Sequence, residues 1–204
     1  MAFTYPRRPP GRRHGPRGYR AYQSYKPWLR DEFRFRCVYC LWRERWGADG
    51  DQMFSVDHLW PRMTHLERLY DYDNLVYACS QCNALKQEAP PVLNPCEEAL
   101  GQHLEIHTDG SVRALTAQGA EQIALCRLNR PRLQAARRMM LELLSMLTAS
   151  KSEEARALLR RLQGFPDNLP HLATLRPPDG NTRPEAIGDS FYAKRQRGEL
   201  PVTY

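Results

Sequence analysis

CVYC at residues 37–40 and CSQC at residues 79–82 are the two stretches that decide the fold of this 204-residue chain. Each is a C-x₂-C pair, in which a tight turn places two thiolates on one side of the backbone. Two such pairs, 38 residues apart, supply four sulfur ligands for a tetrahedral zinc ion that has no open coordination position and is therefore structural. The alternative is a set of buried or redox-active cysteines. The predicted zinc ligands are Cys37, Cys40, Cys79 and Cys82.

A second group of polar residues lies between and beside the two pairs. Asp57 offers a carboxylate oxygen and Asn83 an amide oxygen, and so few protein ligands leave a divalent ion open to water and to a phosphate oxygen, as Mg²⁺ prefers. His58 can act as a general base near neutral pH. Asn74 can fix the intervening loop by side-chain hydrogen bonds. Lys86, three residues after Asn83, shares its face of a helix and can meet a phosphodiester as a point charge.

The order of these elements resembles the zinc-containing HNH endonucleases. Over roughly residues 24–90 the chain follows that family's signature, C-x₂-C … V-D-H-x-x-P … N-L-x-x-x-C-x-x-C-N-x-x-K. The resemblance implies the ββα-metal fold, with a catalytic Mg²⁺ or Mn²⁺ bound by Asp57 and Asn83. It also implies that His58 activates the attacking water and that Asn74 holds the loop between the strands. The third letter of the family's name stands for a histidine. This chain has Asn83 at that position, as do the HNH domains of RNA-guided CRISPR nucleases.

The resemblance implies an activity, the hydrolysis of phosphodiester bonds in DNA, with double-stranded DNA as the expected partner. Two other functions stay open: a zinc-stabilised subunit that binds nucleic acid without cutting it, and a subunit that docks on another protein. Residues 94–137 also resemble the region after the zinc site in HNH proteins of bacterial anti-phage defence, including the Septu and retron systems. That second, less specific resemblance implies a defence effector controlled by a regulatory partner protein such as an ATPase.

Positive charge is concentrated at the start of the chain. Residues 1–30 contain eight basic residues and no acidic one, whereas the rest of the chain carries 22 basic and 23 acidic residues. Arginines next to tyrosines favour contacts with phosphates and bases. The alternatives are a solubilising tail and an arm that docks on an acidic protein partner. The predicted nucleic-acid contacts are Arg7, Arg8, Arg12, Arg13, Arg17 and Arg20.

The predicted fold class is α+β, a ββα-metal core held by the zinc site and followed by a helical C-terminal extension. The chain contains no run of 18 apolar residues, and no apolar segment of a secretion signal follows Met1. We therefore expect no membrane association and a cytoplasmic location. The predicted regions are a basic arm (1–23), the HNH core with its zinc site (24–95), a hairpin and helical extension (96–164) and a Pro-rich tail (165–204).

Local patterns predict the elements outside the core. Residues 1–22, rich in Pro, Arg and Gly, are expected to be extended or disordered and unable to bury a core. Alternation around Asp109-Gly110 predicts a β-hairpin over residues 103–116. The tail is expected to lie on another surface. The predicted helices are one capped by Ser24, one over 117–128 capped by Thr116, one capped by Asn129 and ending near Thr148, and one from Ser152 to Gly164.

Overall fold

The computed structural model describes residues 3–204, so Met1 and Ala2 of the predicted arm lie outside it. The described part has an α+β fold with two antiparallel two-stranded sheets. The first sheet and the helix after it form a ββα unit, and three consecutive helices follow the second sheet. The predicted fold class is confirmed. Within residues 3–204, none of the helices combines the length and the apolar character needed to cross a membrane.

The ββα unit contains two buried strands that run directly into a helix. Strand β1 (Phe54–His58) pairs antiparallel with β2 (Leu75–Cys79), and His58 lies opposite Leu75. Both strands are almost wholly buried, which suits their aromatic and β-branched residues. Helix α2 (Ser80–Lys86) begins at the residue that follows β2. Because no loop separates them, α2 packs against both strands.

Helix α1 (Lys26–Glu32) supplies much of the core beside the sheet. Trp28 and Leu29 are fully buried. Pro27 lies in the first turn, where its missing N–H costs no hydrogen bond. The prediction of Ser24 as the N-cap is wrong, because a short 3₁₀ helix precedes α1 and the α-helix begins only after it.

The predicted β-hairpin is confirmed. Strand β3 (Leu104–Ile106) pairs antiparallel with β4 (Val112–Ala114). Gly110 in the turn has a φ of +80°, in the left-handed region that favours glycine. A Cβ atom at that position would also collide with the backbone of Gln134, so both the backbone conformation and the available space require glycine.

The helical extension consists of α3 (Ala117–Leu125), α4 (Pro131–Ala149) and α5 (Glu153–Gln163). The cap predicted at Thr116 is confirmed, because its hydroxyl accepts a hydrogen bond from the backbone N–H three residues later. Ser152, the residue before the last predicted helix, caps α5 in the same way. Helix α3 ends three residues earlier than its pattern predicts. The buried face of α4 includes Leu133, Arg137, Met140 and Leu144.

Asn129 does not cap α4, so that prediction is wrong. The N-cap is Arg130, which makes no side-chain capping bond. Asn129 instead pairs with the backbone of Val112, donating to its carbonyl (2.8 Å) and accepting from its N–H (2.7 Å). The side chain therefore ties the extension to the hairpin, and this long-range pairing outweighs the local capping preference.

The arm contributes to the main core, so the expectation that residues 1–22 cannot bury a core is wrong. Phe3 and Tyr5 are members of the main apolar cluster. His14 is fully buried, and its Nε2 lies 2.8 Å from a carboxylate oxygen of Asp31 on α1. The arm has little regular secondary structure, yet its aromatic residues are spaced to reach the core between the prolines and arginines.

The tail, expected to lie on another surface, lies on the arm and α1 of the same chain. Pro16 of the arm and Asn181 of the tail form an isolated antiparallel bridge. Helix α6 (Phe191–Gln196) starts where the backbone N–H of Phe191 donates to Asp31 (2.8 Å). Arm and tail therefore hold each other against α1. The tail also completes a second apolar cluster, formed by Phe35, Phe165, Leu169 and Phe191.

Candidate functional site

The four predicted zinc ligands lie together. The Sγ atoms of Cys37, Cys40, Cys79 and Cys82 all lie within 4.8 Å of one another, and three of these cysteines are buried. A zinc–sulfur bond of about 2.3 Å in a tetrahedron separates neighbouring sulfurs by about 3.8 Å. The Sγ atoms of Cys40 and Cys79 are 3.8 Å apart. This sulfur cluster therefore fits a zinc ion with four thiolate ligands.

Two arginines of α4 and its cap balance the charge of the sulfur cluster. Four thiolates around Zn²⁺ carry a net charge of −2. The guanidinium group of Arg130 lies 3.9 Å from Sγ of Cys82. Arg137 is fully buried; burial lowers its pKa, while the charges of Tyr5, Cys40 and Cys82 act in the opposite direction. The helical extension thus supplies the positive charge that a buried anionic cluster needs.

Asp57 lies near the end of β1 with its carboxylate held from two sides. The hydroxyl of Tyr39 donates to Oδ2 at 2.6 Å, and Nζ of Lys86 lies 3.4 Å from Oδ1. Burial raises the pKa of Asp57, although Lys86 and Tyr39 act in the opposite direction. A carboxylate has about four lone-pair positions, so two remain for a metal ion. Tyr39 belongs to the first C-x₂-C turn, which links the sulfur cluster to Asp57.

His58, the next residue, has an imidazole with two distinct sides. Nε2 lies 3.1 Å from the backbone carbonyl of Leu69, so this nitrogen is the donor and Nδ1 is left as the acceptor. The ring of Tyr22 packs edge-on against the imidazole, with the centroids 4.8 Å apart. Burial lowers the pKa of His58, which favours the neutral form. The arrangement suits a general base that takes a proton at Nδ1.

Asn74 fixes the loop that supplies the acceptor for His58. Its Oδ1 accepts a hydrogen bond from the N–H of Trp60 (2.8 Å), and its Nδ2 donates to the carbonyls of Trp60 (3.2 Å) and Arg68 (3.1 Å). The side chain is fully buried and so ties the beginning of the loop to its end. Leu69 follows Arg68, so Asn74 indirectly positions the carbonyl that orients His58.

Lys86 faces inward rather than toward solvent. Its side chain is only 2% exposed. Nζ donates to the backbone carbonyl of His58 (2.6 Å) as well as facing Asp57. From this position the ammonium holds Asp57 and the end of β1 in place. It does not occupy the solvent-facing position that the expected contact with a phosphodiester requires.

Asp57, His58 and Asn83 line one cavity of about 450 Å³, here called the Asp57 cavity. Nδ2 of Asn83 donates to Oγ of Ser55 (2.8 Å) and to the carbonyl of Val56 (3.3 Å). The amide nitrogen is therefore anchored in the protein and the amide oxygen is left as a ligand. A carboxylate and an amide oxygen at one cavity fit a hard divalent cation that keeps several positions for water and substrate.

Two residues that sequence reasoning missed lie at the mouth of the Asp57 cavity. Arg62 and Glu88 form an exposed ion pair with Nε 3.0 Å from Oε1. Arg62 also donates to the hydroxyl of Tyr22 (3.3 Å), which lines the same cavity. Only weak indications in the sequence place them near the cavity: Arg62 follows the motif's proline, and Glu88 lies two residues after Lys86.

The arginines of the arm fall into two groups. Arg12 lies over the Tyr72 ring and 3.7 Å from Asp73, and Arg13 lies 3.3 Å from Asp31. The guanidinium groups of these two arginines thus already contact carboxylates of the same chain. The four others are exposed: Arg7, Arg8, Arg17 and Arg20.

The comparison with protein families agrees with this geometry. Residues 37–88 match the family model described as HNH endonuclease, and they cover about a quarter of the chain. No curated protein matches the sequence. The matched segment contains the sulfur cluster, the ββα unit and the Asp57 cavity. Over residues 37–88 the chain is therefore similar to the HNH endonucleases, and this segment carries both C-x₂-C pairs.

Proposed function

We propose that this protein is a metal-dependent endonuclease that hydrolyses phosphodiester bonds in DNA. The observation that carries the proposal is the Asp57 cavity, where one carboxylate, one amide oxygen and an oriented neutral imidazole meet. A protein that only binds nucleic acid has no chemical need for this combination. The family of residues 37–88 supports a nucleic-acid substrate.

In the proposed reaction His58 removes a proton from the attacking water at Nδ1, because Nε2 already donates to Leu69. Asp57 and Asn83 would hold a Mg²⁺ or Mn²⁺ ion, which when bound stabilises negative charge on the phosphate and leaving oxygens. Lys86 keeps Asp57 in place and offsets its buried charge. Asn74 keeps the loop, and with it the Leu69 carbonyl, in the position that orients the base.

Arg62 is the proposed phosphate contact at the cavity mouth. It is about half exposed, lines the same cavity as His58 and carries a planar guanidinium that matches phosphate oxygens. The exposed arginines of the arm, Arg7, Arg8, Arg17 and Arg20, are proposed to contact the DNA backbone outside the cavity.

The test is incubation of the purified protein with supercoiled plasmid and with Mg²⁺ or Mn²⁺. We expect nicked plasmid first, because one HNH site cuts one strand at a time, and no cutting without added metal. A protein that shifts the plasmid in a gel but never cuts it with either metal would be the non-cleaving binding subunit instead. Parallel incubation with an RNA of equal length tests the assignment of DNA.

The proposal extends to regulation through the resemblance of residues 94–137 to anti-phage defence proteins. It predicts a partner, such as an ATPase, that raises the rate of cleavage above the basal nicking by the isolated protein. Cleavage of plasmid by the isolated protein at the rate seen with a candidate ATPase present would overturn this part and leave the nuclease assignment intact.

A further inference from the structure

A second cavity, of about 560 Å³, lies between the arm and the segment that follows α1. Its lining comes from residues 4–10, from six residues between positions 32 and 41, and from Pro95 and Leu100. None of these residues lines the Asp57 cavity. The two cavities are therefore separate, and none of the proposed catalytic or metal-binding residues lines this one.

Four arginines line this second cavity, which is here called the arginine cavity. They are Arg7 and Arg8 of the arm, and Arg34 and Arg36 after α1. Among the described residues, no carboxylate lies within ion-pair distance of these four guanidinium groups, although sixteen other residues (thirteen lysines and arginines, and three histidines) form such pairs with at least one acid. Concentrated positive charge of this kind is characteristic of an anion site.

Glu32 also lines the arginine cavity but does not neutralise it. Its Oε1 accepts from the backbone N–H of Arg13 (2.6 Å), and its Oε2 accepts from the N–H of His14 (3.1 Å) and the hydroxyl of Tyr72 (3.0 Å). The carboxylate is thus committed to holding the arm against α1. The guanidinium groups remain available to a ligand.

Positive charge is crowded at Arg36, because this side chain is only partly exposed and the exposed Arg34 lines the same cavity two residues earlier. Arg34 and Phe35 also have φ values of +54° and +56°, uncommon for residues other than glycine. Such backbone conformations concentrate at ligand sites, where strain is part of the design. A bound anion would offset the repulsion between these arginines.

The rest of the lining is apolar, so a ligand must cover apolar surface as well as carry negative charge. Phe33, Val38 and Leu41 contribute buried side chains, and Pro9 and Pro10 stand at the exposed edge. A bare inorganic ion would leave this apolar surface uncovered. A ligand with a flat ring and an anionic group would cover the surface and reach the guanidinium groups, which match phosphate oxygens in a planar fork. A volume of about 560 Å³ lies within the usual range for ligand sites.

We propose that the arginine cavity binds a nucleoside phosphate, with the base on the apolar lining and the phosphate on Arg34 and Arg36. The same chemistry is offered by a free nucleotide and by a nucleotide at the end of a nucleic-acid strand. This inference does not rest on the nuclease activity, because binding is measured without added divalent ions and without cleavage.

The experiment is calorimetric titration of the zinc-loaded protein with inorganic phosphate, AMP, ATP and a 5′-phosphorylated dinucleotide. We expect at least one of the nucleoside phosphates to bind about tenfold or more tightly than inorganic phosphate. Arg34→Gln and Arg36→Gln are each expected to weaken that binding by about tenfold, the effect of one lost charge-assisted hydrogen bond. Arg34 is exposed, so its variant tests the site even if the Arg36 variant does not fold.

Two control variants separate this site from others. Arg113→Gln removes an exposed charge from β4, and Arg176→Gln removes one from the tail; neither residue lines the arginine cavity or the Asp57 cavity. Both are expected to leave nucleotide binding within twofold. Binding of AMP or ATP identifies a free nucleotide, whereas binding of the dinucleotide alone identifies a strand end. Phosphate binding as tight as AMP, equal losses in Arg113→Gln and Arg34→Gln, or no binding at millimolar concentration would each overturn the proposal.

Discussion

The sulfur cluster and the Asp57 cavity take ligands from adjacent residues of α2, but the two sites differ in the number of protein ligands and in their openness to solvent. Cys82 contributes a thiolate to a group whose four ligands surround the ion position. Asn83, the next residue, contributes one amide oxygen to an open cavity. A closed set of four soft ligands stabilises the fold, and a small set of hard ligands leaves room for water and substrate. The comparison shows that ligand number and openness, rather than metal binding itself, separate the two roles.

The two sites are also physically connected. Tyr39 lies between the cysteines of the first C-x₂-C pair, and its hydroxyl donates to Asp57. On the far side of the same residue, the hydroxyl of Tyr5 donates to the backbone carbonyl of Tyr39 (2.7 Å). Loss of the sulfur cluster is therefore expected to disturb the Asp57 cavity, whereas changes inside the cavity are expected to leave the cluster intact. Substitutions in each site test this one-way dependence.

Cys82→Ser is expected to have the largest effect. A structural zinc contributes on the order of 10 kcal/mol to folding, which is comparable with the whole stability of a domain, about 5–15 kcal/mol. We expect the variant to purify without zinc and to lose its cooperative thermal transition. Zinc content by elemental analysis and a circular-dichroism melting curve measure both outcomes.

Cys96→Ser is the matched control, since Cys96 is buried but lies outside the sulfur cluster. This variant is expected to keep its zinc and a cooperative transition. If Cys82→Ser also retains one zinc per chain and melts like the parent, the four-ligand description of the cluster is incorrect.

His58→Ala is expected to remove activity while leaving the cluster untouched. Loss of a general base lowers a rate by a factor on the order of 10² to 10⁴. Zinc content and melting temperature should stay near the parent values, because the imidazole hydrogen-bonds the Leu69 carbonyl and packs on Tyr22, and neither residue belongs to the sulfur cluster. Initial rates of plasmid nicking measure the loss, with the exposed His171→Ala as control. Parent-like cutting by His58→Ala would show that another group is the base.

Lys86→Met tests whether the buried ammonium positions Asp57. Removing one partner of a buried ion pair costs about 3 kcal/mol or more, because the other charge is left uncompensated. We expect the variant to unfold at a lower denaturant concentration and to need more metal for half-maximal cutting. Denaturant titration and the metal dependence of nicking report the two effects separately.

The double variant Asp57→Asn/Lys86→Met sharpens that test. Removing both charges leaves no uncompensated partner, so part of the lost stability should return. The exposed Lys151→Met is the control for a lysine without a structural role. Additive losses in the double variant would mean that the two side chains do not act as a pair.

The ββα unit and the sulfur cluster were predictable from sequence because their signals are short, ordered and chemically specific. The two C-x₂-C pairs and Asn83 occur in a fixed order, and the positions of Cys79, Cys82 and Asn83 follow from β2 running directly into α2. The caps Thr116 and Ser152 were predictable for a similar reason, since each bonds a backbone group three residues away.

The arm and the tail could not be predicted because their order comes from contacts distant in sequence. Composition alone makes residues 1–22 appear unable to fold, yet His14 pairs with Asp31 and the arm bridges the tail near Asn181. The inward orientation of Lys86 was also hidden. Helical spacing places it on the face of Asn83, but only the packing of α2 on β1 decides that its ammonium is buried.

Glu88→Gln is expected to have the smallest effect. Unlike the other variants, which lose stability or activity, it is expected to bind DNA more tightly. The Arg62–Glu88 pair is exposed, so its loss should change stability by no more than about 1 kcal/mol. The substitution also removes a negative charge beside the proposed phosphate contact and frees Arg62. We therefore expect DNA binding to tighten by about two- to fivefold, as such a pair's energy allows. Fluorescence anisotropy with labelled duplex and no added metal measures the change.

The exposed Arg138–Glu142 pair on α4 provides the comparison for this prediction. Its Nε–Oε1 distance is 2.8 Å and its exposure is similar, but neither residue lines the Asp57 cavity. Glu142→Gln removes the same charge from the chain, so any general effect of net charge on DNA binding appears in both variants. Only the excess seen with Glu88→Gln reports on Arg62. If Arg62→Gln abolishes that excess, Arg62 contacts the substrate; if the excess persists without Arg62, Glu88 acts on DNA by repulsion alone.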